Sequence, residues 1–183
     1  MSLPAHNSER ASGERVLHVI QGTFEVSKDP EIVMSTILGS CVAVCLFDPD
    51  AKVGGMNHYL LAEGHGSDSV RYGVNAMELL INGMLKKGAD RSRLRAKVFG
   101  GGRMMQGMFD IGADNAAFAR EFLGREGIPI DGESLGGDRG RRIRFWPTSG
   151  RARQLLLGKA EAIPAEPPKS APQPVEGSGV ELF

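Results

Sequence analysis

The sequence predicts an α/β protein of the α+β kind, a layered sandwich of mixed β-sheets with helices packed outside. Three observations predict it. Short β-branched and apolar runs recur along the chain, and only two segments carry helical periodicity. Strands and helices also fail to alternate regularly, as a doubly wound parallel sheet would require.

The strands are taken in order. Residues 16–20 and 23–26 are short β-branched or aromatic runs. Residues 42–47 are apolar throughout and too short for a buried helix, so they form a central strand that Asp48-Pro49-Asp50 ends. Residues 53–61 form the next strand, entered through Gly54-Gly55. Residues 96–99, 128–135, 141–146 and 153–157 complete the set.

The first helix follows from Val70, Val74, Met77, Leu80, Ile81, Met84 and Leu85, which recur at three- and four-residue steps. Asp68 or Ser69 is expected to cap its start, and Gly88 sits where a left-handed C-terminal cap belongs. A second helix is expected over residues 113–126, burying Phe118, Phe122 and Leu123 before Gly127.

Length and charge bound the function. A chain of 183 residues suits one domain and buries enough apolar surface to fold without metals or disulfides. Its 22 basic and 22 acidic residues balance, whereas a nucleic-acid partner would call for a basic excess. No apolar run is long enough to span a bilayer. The start, Met1-Ser2-Leu3-Pro4-Ala5-His6, lacks a secretory pattern, so a cytoplasmic protein is expected. Residues 1–13 read as a flexible terminus, 14–158 as the domain, and 159–183 as a Pro-rich disordered tail. Cys41 and Cys45 on one strand would lie roughly 13 Å apart. A disulfide needs under about 7 Å, so two reduced thiols are expected, as in a reducing compartment.

Cys41 is the first candidate for chemistry. It follows Gly39-Ser40 at the mouth of an apolar strand, where backbone N–H groups around Ser40 and Cys41 can converge on one oxygen. Alone it reads first as a small buried hydrophobe, the commoner setting for a cysteine. His58 on the next strand changes that reading, because a nearby imidazole stabilises a thiolate and protonates a leaving group. A third group should orient the imidazole. Asn57 adjoins His58 and points to the other face of a strand, which leaves Ser35 and Thr36, just upstream of the cysteine loop.

The remaining motifs carry less. His18 reads as structural, while His6 and His65 fall in polar segments. No pair has metal-ligand spacing, so neither metal nor cofactor is expected. Gly100-Gly101-Gly102 lacks the companions of a nucleotide loop and is expected to let backbone pass close to the cysteine loop or a substrate. Arg139, Arg141, Arg142 and Arg144 read either as a surface for an acidic partner or as charges protecting an edge strand.

Six collinear blocks then carry a family resemblance. They are Leu38-Gly-Ser-Cys-Val-Ala-Val-Cys, Gly54-Gly-Met-Asn-His, Arg71-Tyr-Gly-Val-Asn-Ala-Met, Val98-Phe-Gly-Gly-Gly, Ile111-Gly-Ala-Asp-Asn and Leu135-Gly-Gly-Asp-Arg-Gly-Arg-Arg-Ile. Over roughly residues 15–157 the chain resembles the CheD family of chemoreceptor glutamine deamidases. The resemblance implies a fold similar to that of deamidating bacterial toxins, with a cysteine-histidine-threonine site. Cys41 and His58 carry over directly. The family's hydroxyl falls six residues before the cysteine, at Ser35, while Thr36 stands one residue closer, so both stay open. The implied activity is hydrolysis of glutamine side chains to glutamate on the cytoplasmic helical region of methyl-accepting chemotaxis receptors, through a cysteine thioester. The same site is expected to accept glutamyl methyl esters. A CheC-type phosphatase is an implied partner, and a non-enzymatic adaptor that binds receptors or that phosphatase is the alternative function.

Overall fold

The computed structural model describes residues 13–61, 66–104 and 110–158. Most of the expected flexible terminus, the whole Pro-rich tail, and His6 and His65 lie outside the described residues.

Among the described residues nine strands build two sheets. The first has the order β1 (Arg15–His18), β3 (Ile32–Leu38), β8 (Arg141–Trp146), β9 (Arg151–Leu156). The second runs β2 (Phe24–Ser27), β5 (Val53–Asn57), β4 (Val42–Asp48), β6 (Arg95–Gly100), β7 (Ile130–Leu135). Each is mixed, with a parallel pair at one edge, β1 on β3 and β6 on β7. The helices α1 (Ser67–Lys86) and α2 (Ile111–Arg125) pack on the second sheet only. The layers are therefore sheet, sheet and helices.

The pleat explains both cores. Side chains alternate across a strand, so β4 sends Val42, Val44 and Leu46 toward Met77, Leu80, Ile81 and Met84 of α1 and Ala119 and Leu123 of α2. It sends Ala43, Cys45 and Phe47 the other way, into the seam between the sheets. There they meet Met56 of β5, Met34 and Leu38 of β3, and Ile143 and Phe145 of β8. Continuous apolar character in residues 42–47 thus reflects burial on both faces.

Several elements differ from the sequence expectation. β3 is absent from it, because Ser35 and Thr36 interrupt an apolar run in the manner of a turn. In the sheet both hydroxyls are satisfied: Ser35 Oγ donates to Ile143 O at 3.0 Å and Thr36 Oγ1 to Val19 O at 2.7 Å. Helix α1 starts at Ser67 after Gly66, so Asp68 and Ser69 lie inside it and no side chain caps it. Val70 faces solvent, since the packed stripe starts further along. Gly88 does adopt the left-handed conformation, with φ +97°. α2 begins two residues earlier than the periodicity implies, capped by Asp110, whose side chain accepts from Ala113 N at 3.0 Å. Of its expected buried residues Leu123 is fully enclosed, and Phe118 and Phe122 are partly so.

Of the four arginines singled out in the sequence, Arg142 is exposed, while the other three bind groups of this chain. Arg141 is buried and holds the carbonyls of Ser134 (2.6 Å) and Gly136. Arg139 reaches Leu157 O at 2.9 Å, and Arg144 pairs with Glu14 at 2.8 Å.

Candidate active site

The cysteine loop, Gly39-Ser40-Cys41, joins β3 of one sheet to β4 of the other. Its three successive carbonyls are each held from outside. Gly39 O accepts from Gly102 N at 2.8 Å, Cys41 O from Gly101 N at 2.8 Å, and Ser40 O from Asn115 Nδ2 at 3.3 Å. The triple glycine therefore does what its composition implied, bringing backbone against the cysteine loop. Gly100 has φ +114°, and a Cβ there would lie 2.1 Å from Cys41 O. Only glycine fits both the dihedral and the approach.

His58 follows β5, and register places it relative to Cys41. Val42 and Tyr59 form an antiparallel bridge with both backbone hydrogen bonds made, at 3.0 and 2.9 Å. His58 is then opposite Ala43, and Cys41 opposite Leu60. Cys41 and His58 are diagonal neighbours on the face that looks into the seam, a spacing that an imidazole spans.

Parity places the two candidate hydroxyls on opposite faces of β3. Thr36 alternates with Met34 and Leu38, so it projects from the first sheet into the same seam. Its Oγ1 lies 2.9 Å from His58 Nδ1. Ser35 faces the other side of the sheet and bonds Ile143 O. The structure brings Thr36 and His58 together and leaves Ser35 out. Asn57 also points away, with Oδ1 accepting from Val44 N at 3.0 Å.

These contacts fix the tautomer of His58. Thr36 gives its single proton to Val19 O, so it meets Nδ1 as an acceptor. Val19 O, 3.3 Å from the same nitrogen, also can only accept. Nδ1 therefore carries the proton of the neutral ring, and Nε2 is its basic nitrogen. The hydrogen-bonded chain runs from His58 through Thr36 to the Val19 carbonyl, with no carboxylate in it.

The mouth of the site is formed by a turn and a helix. Residues 20–23 make a turn in which Thr23 N donates to Ile20 O at 3.1 Å and Gly22 has φ +84°. His58 clamps that turn through its backbone, accepting from Gly22 N at 2.7 Å and donating to Thr23 O at 3.1 Å. At the corner, Gln21 is exposed, and its Oε1 accepts from Cys41 Sγ at 3.2 Å. Tyr72 of α1 borders the same opening. Its burial, and then negative charge on Cys41, raise its phenol above the ordinary value. Cys41 itself is half-buried, and no disulfide joins it to Cys45.

Sequence reasoning missed Gln21, the Val19 carbonyl and Asn115. Gln21 gave no signal beyond the glycine after it. Asn115 did give one, an amide on the apolar side of a helix, between Ile111 and Ala119. Among the described residues no group of three or more His, Cys, Asp or Glu could hold a metal. No helix there is long and apolar enough to cross a membrane.

Comparison with known proteins agrees with the sequence blocks. A family model described as CheD chemotactic sensory transduction matches residues 60–154, starting just past His58. A protein of Sinorhizobium medicae named "Probable chemoreceptor glutamine deamidase CheD" is 57% identical over 94% of this chain and 98% of its own length. One of the same name from a Caulobacter species is 54% identical, covering 98% of each. Among solved structures, a Neisseria meningitidis protein of the DUF152 family superposes with a TM-score of 0.47 at 14% identity, covering 68% of this chain and 65% of that one.

Proposed function

The chain belongs to the CheD family, and from that premise we propose that it deamidates glutamine side chains of chemoreceptors with Cys41 as nucleophile and His58 as general base and acid. The observation that carries this reading is the Thr36–His58 contact at 2.9 Å, which sets the histidine tautomer in a seam shared with Cys41.

The chemistry follows from the atoms in place. His58 Nε2 takes the Cys41 proton, and the thiolate attacks the side-chain amide carbon of the substrate. The carbonyl oxygen becomes an oxyanion, received by backbone N–H groups of the cysteine loop. The imidazolium, steadied by Thr36, gives its proton to the departing nitrogen, and ammonia leaves a thioester. Water enters as His58 removes its proton, the carbon–sulfur bond breaks, and glutamate and thiol result. Gln21 must swing aside for the substrate, which its exposed turn permits.

The substrate surface is read as a helix face of the receptor's cytoplasmic region, because the thiol sits at an open mouth and not in a closed chamber. A cytoplasmic location and a CheC-type phosphatase partner belong to the same proposal. The test is mass spectrometry of receptor cytoplasmic fragments after incubation with the protein. Carboxamide-to-carboxylate conversion at discrete glutamines, lost with Cys41→Ala, is the expected result. Chain scission would make the protein a peptidase. Binding with no conversion would make it an adaptor.

A further inference from the structure

Asn115 is fully buried on α2, and its polar atoms are spent on the active-site frame. Nδ2 donates to Ser40 O at 3.3 Å and to Ile111 O at 2.8 Å. Oδ1 accepts from Leu61 N at 2.8 Å, and the backbone carbonyl accepts from Tyr59 OH at 3.0 Å. One residue thus ties the loop that carries Cys41 to the segment that follows His58.

The bond to Ser40 O has a geometric consequence. In a trans peptide the N–H points opposite to the C=O, and no cis peptide occurs among the described residues. The Ser40 carbonyl is pulled toward the helix layer, so the N–H of Cys41 in the same peptide points away from it. That is the side on which the Cys41 side chain packs, toward the seam between the sheets. The neighbouring peptide behaves in the same way: Cys41 O is held by Gly101 N, and Val42 N points oppositely, to Tyr59 O.

We propose that Asn115 is a positioning residue for the oxyanion site: it orients the Ser40–Cys41 peptide so that the Cys41 N–H faces the oxygen of the reacting carbonyl. The proposal rests on Cys41 being the nucleophile. It predicts that Asn115 matters only to reactions that pass through a tetrahedral oxyanion. A misplaced donor in such a site costs on the order of 10²-fold.

The test compares two reactions of one thiol. Acylation by p-nitrophenyl acetate forms an oxyanion, whereas alkylation by iodoacetamide is displacement at a saturated carbon and forms none. Asn115→Asp keeps the shape and the acceptor for Leu61 N but sets a carboxylate oxygen against Ser40 O. Asn115→Ala removes both contacts. Each full-length variant is assayed for acylation, for alkylation of Cys41 followed by mass spectrometry, for receptor deamidation, and by thermal melting. Acylation and kcat for deamidation should fall about 10- to 100-fold, with alkylation changed less than about 3-fold and KM little altered. Acylation and alkylation falling together, or neither falling, would overturn the proposal. Wild-type protein that is acylated at Cys41 yet converts no receptor glutamine would overturn the substrate reading instead, and the acylation-to-alkylation ratio would still decide the role of Asn115.

Discussion

Strand β4 ends in two polar clusters that use the same means for different ends. At its far end Asp48 is fully buried, and every bond it makes is internal. It accepts from Arg93 Nε at 3.1 Å and Nη2 at 2.9 Å, and from the backbone N–H groups of Asp50, Ala51 and Asp90. At its near end the hydrogen bonds of His58, Thr36 and Asn115 are as internal, but Cys41 and Gln21 open to solvent. Cys45, between them, sits in the closed seam, and burial pushes its thiol well above the ordinary range. Enclosure makes one end a fastening; a single open side suits the other to the proposed reaction.

The contrast is broken most sharply at the cysteines. Cys41→Ala is expected to remove receptor deamidation, at least about 10³-fold in kcat by mass spectrometry. Next comes the hydroxyl pair. Thr36→Val keeps the shape but removes the acceptor for Nδ1–H, and should lower kcat about 10- to 100-fold. Ser35→Ala should leave kcat unchanged. Reversal of that order would put the orienting hydroxyl at Ser35.

The Asp48 end should answer in stability and not in rate. Burial raises its carboxyl pKa, but Arg93 and three backbone N–H groups outweigh this and hold it at about 2, against 3.8 ordinarily. A depressed folded-state value stabilises above the unfolded pKa. The contribution, about 2 kcal/mol, is therefore present above about pH 4 and lost as the pH falls toward 2. Urea unfolding across that range should show the slope in wild type, and Asp48→Asn should flatten it with kcat for deamidation at neutral pH intact. Smallest is Cys45→Ala, costing about 1 kcal/mol in a urea melt without loss of activity. In the native protein iodoacetamide should modify Cys41 and reach Cys45 only on unfolding.

The same contrast explains what the sequence could and could not disclose. Apolar runs and helical stripes are local, so β4, β5, α1 and α2 were legible, as was the spacing of Cys41 and His58. The choice between Ser35 and Thr36 was not, because it depends on which face of β3 meets the other sheet. Neighbours in sequence have opposite parity, and only the assembled layers say which parity is inward. Asn115 was missed although it is an amide in an apolar stripe, because its partner Ser40 lies far away in the chain and no local pattern links them. Arg141 differs for a related reason: charge in a sequence suggests solvent, whereas this residue is buried and spends its charge on the carbonyls of a tight turn.

The approach of Gly100 to the cysteine loop has a consequence for inheritance. The atom that excludes a Cβ at Gly100 is the Cys41 carbonyl oxygen, and at Gly112 it is the carbonyl oxygen of Gly102, 2.4 Å away. Both obstacles are backbone, so no side-chain change elsewhere can make room. A saturation library at Gly100 should return glycine alone, and grafting the loop 39–41 onto another scaffold should succeed only when 100–102 and the start of α2 travel with it. Three stretches distant in the chain are thereby one heritable unit.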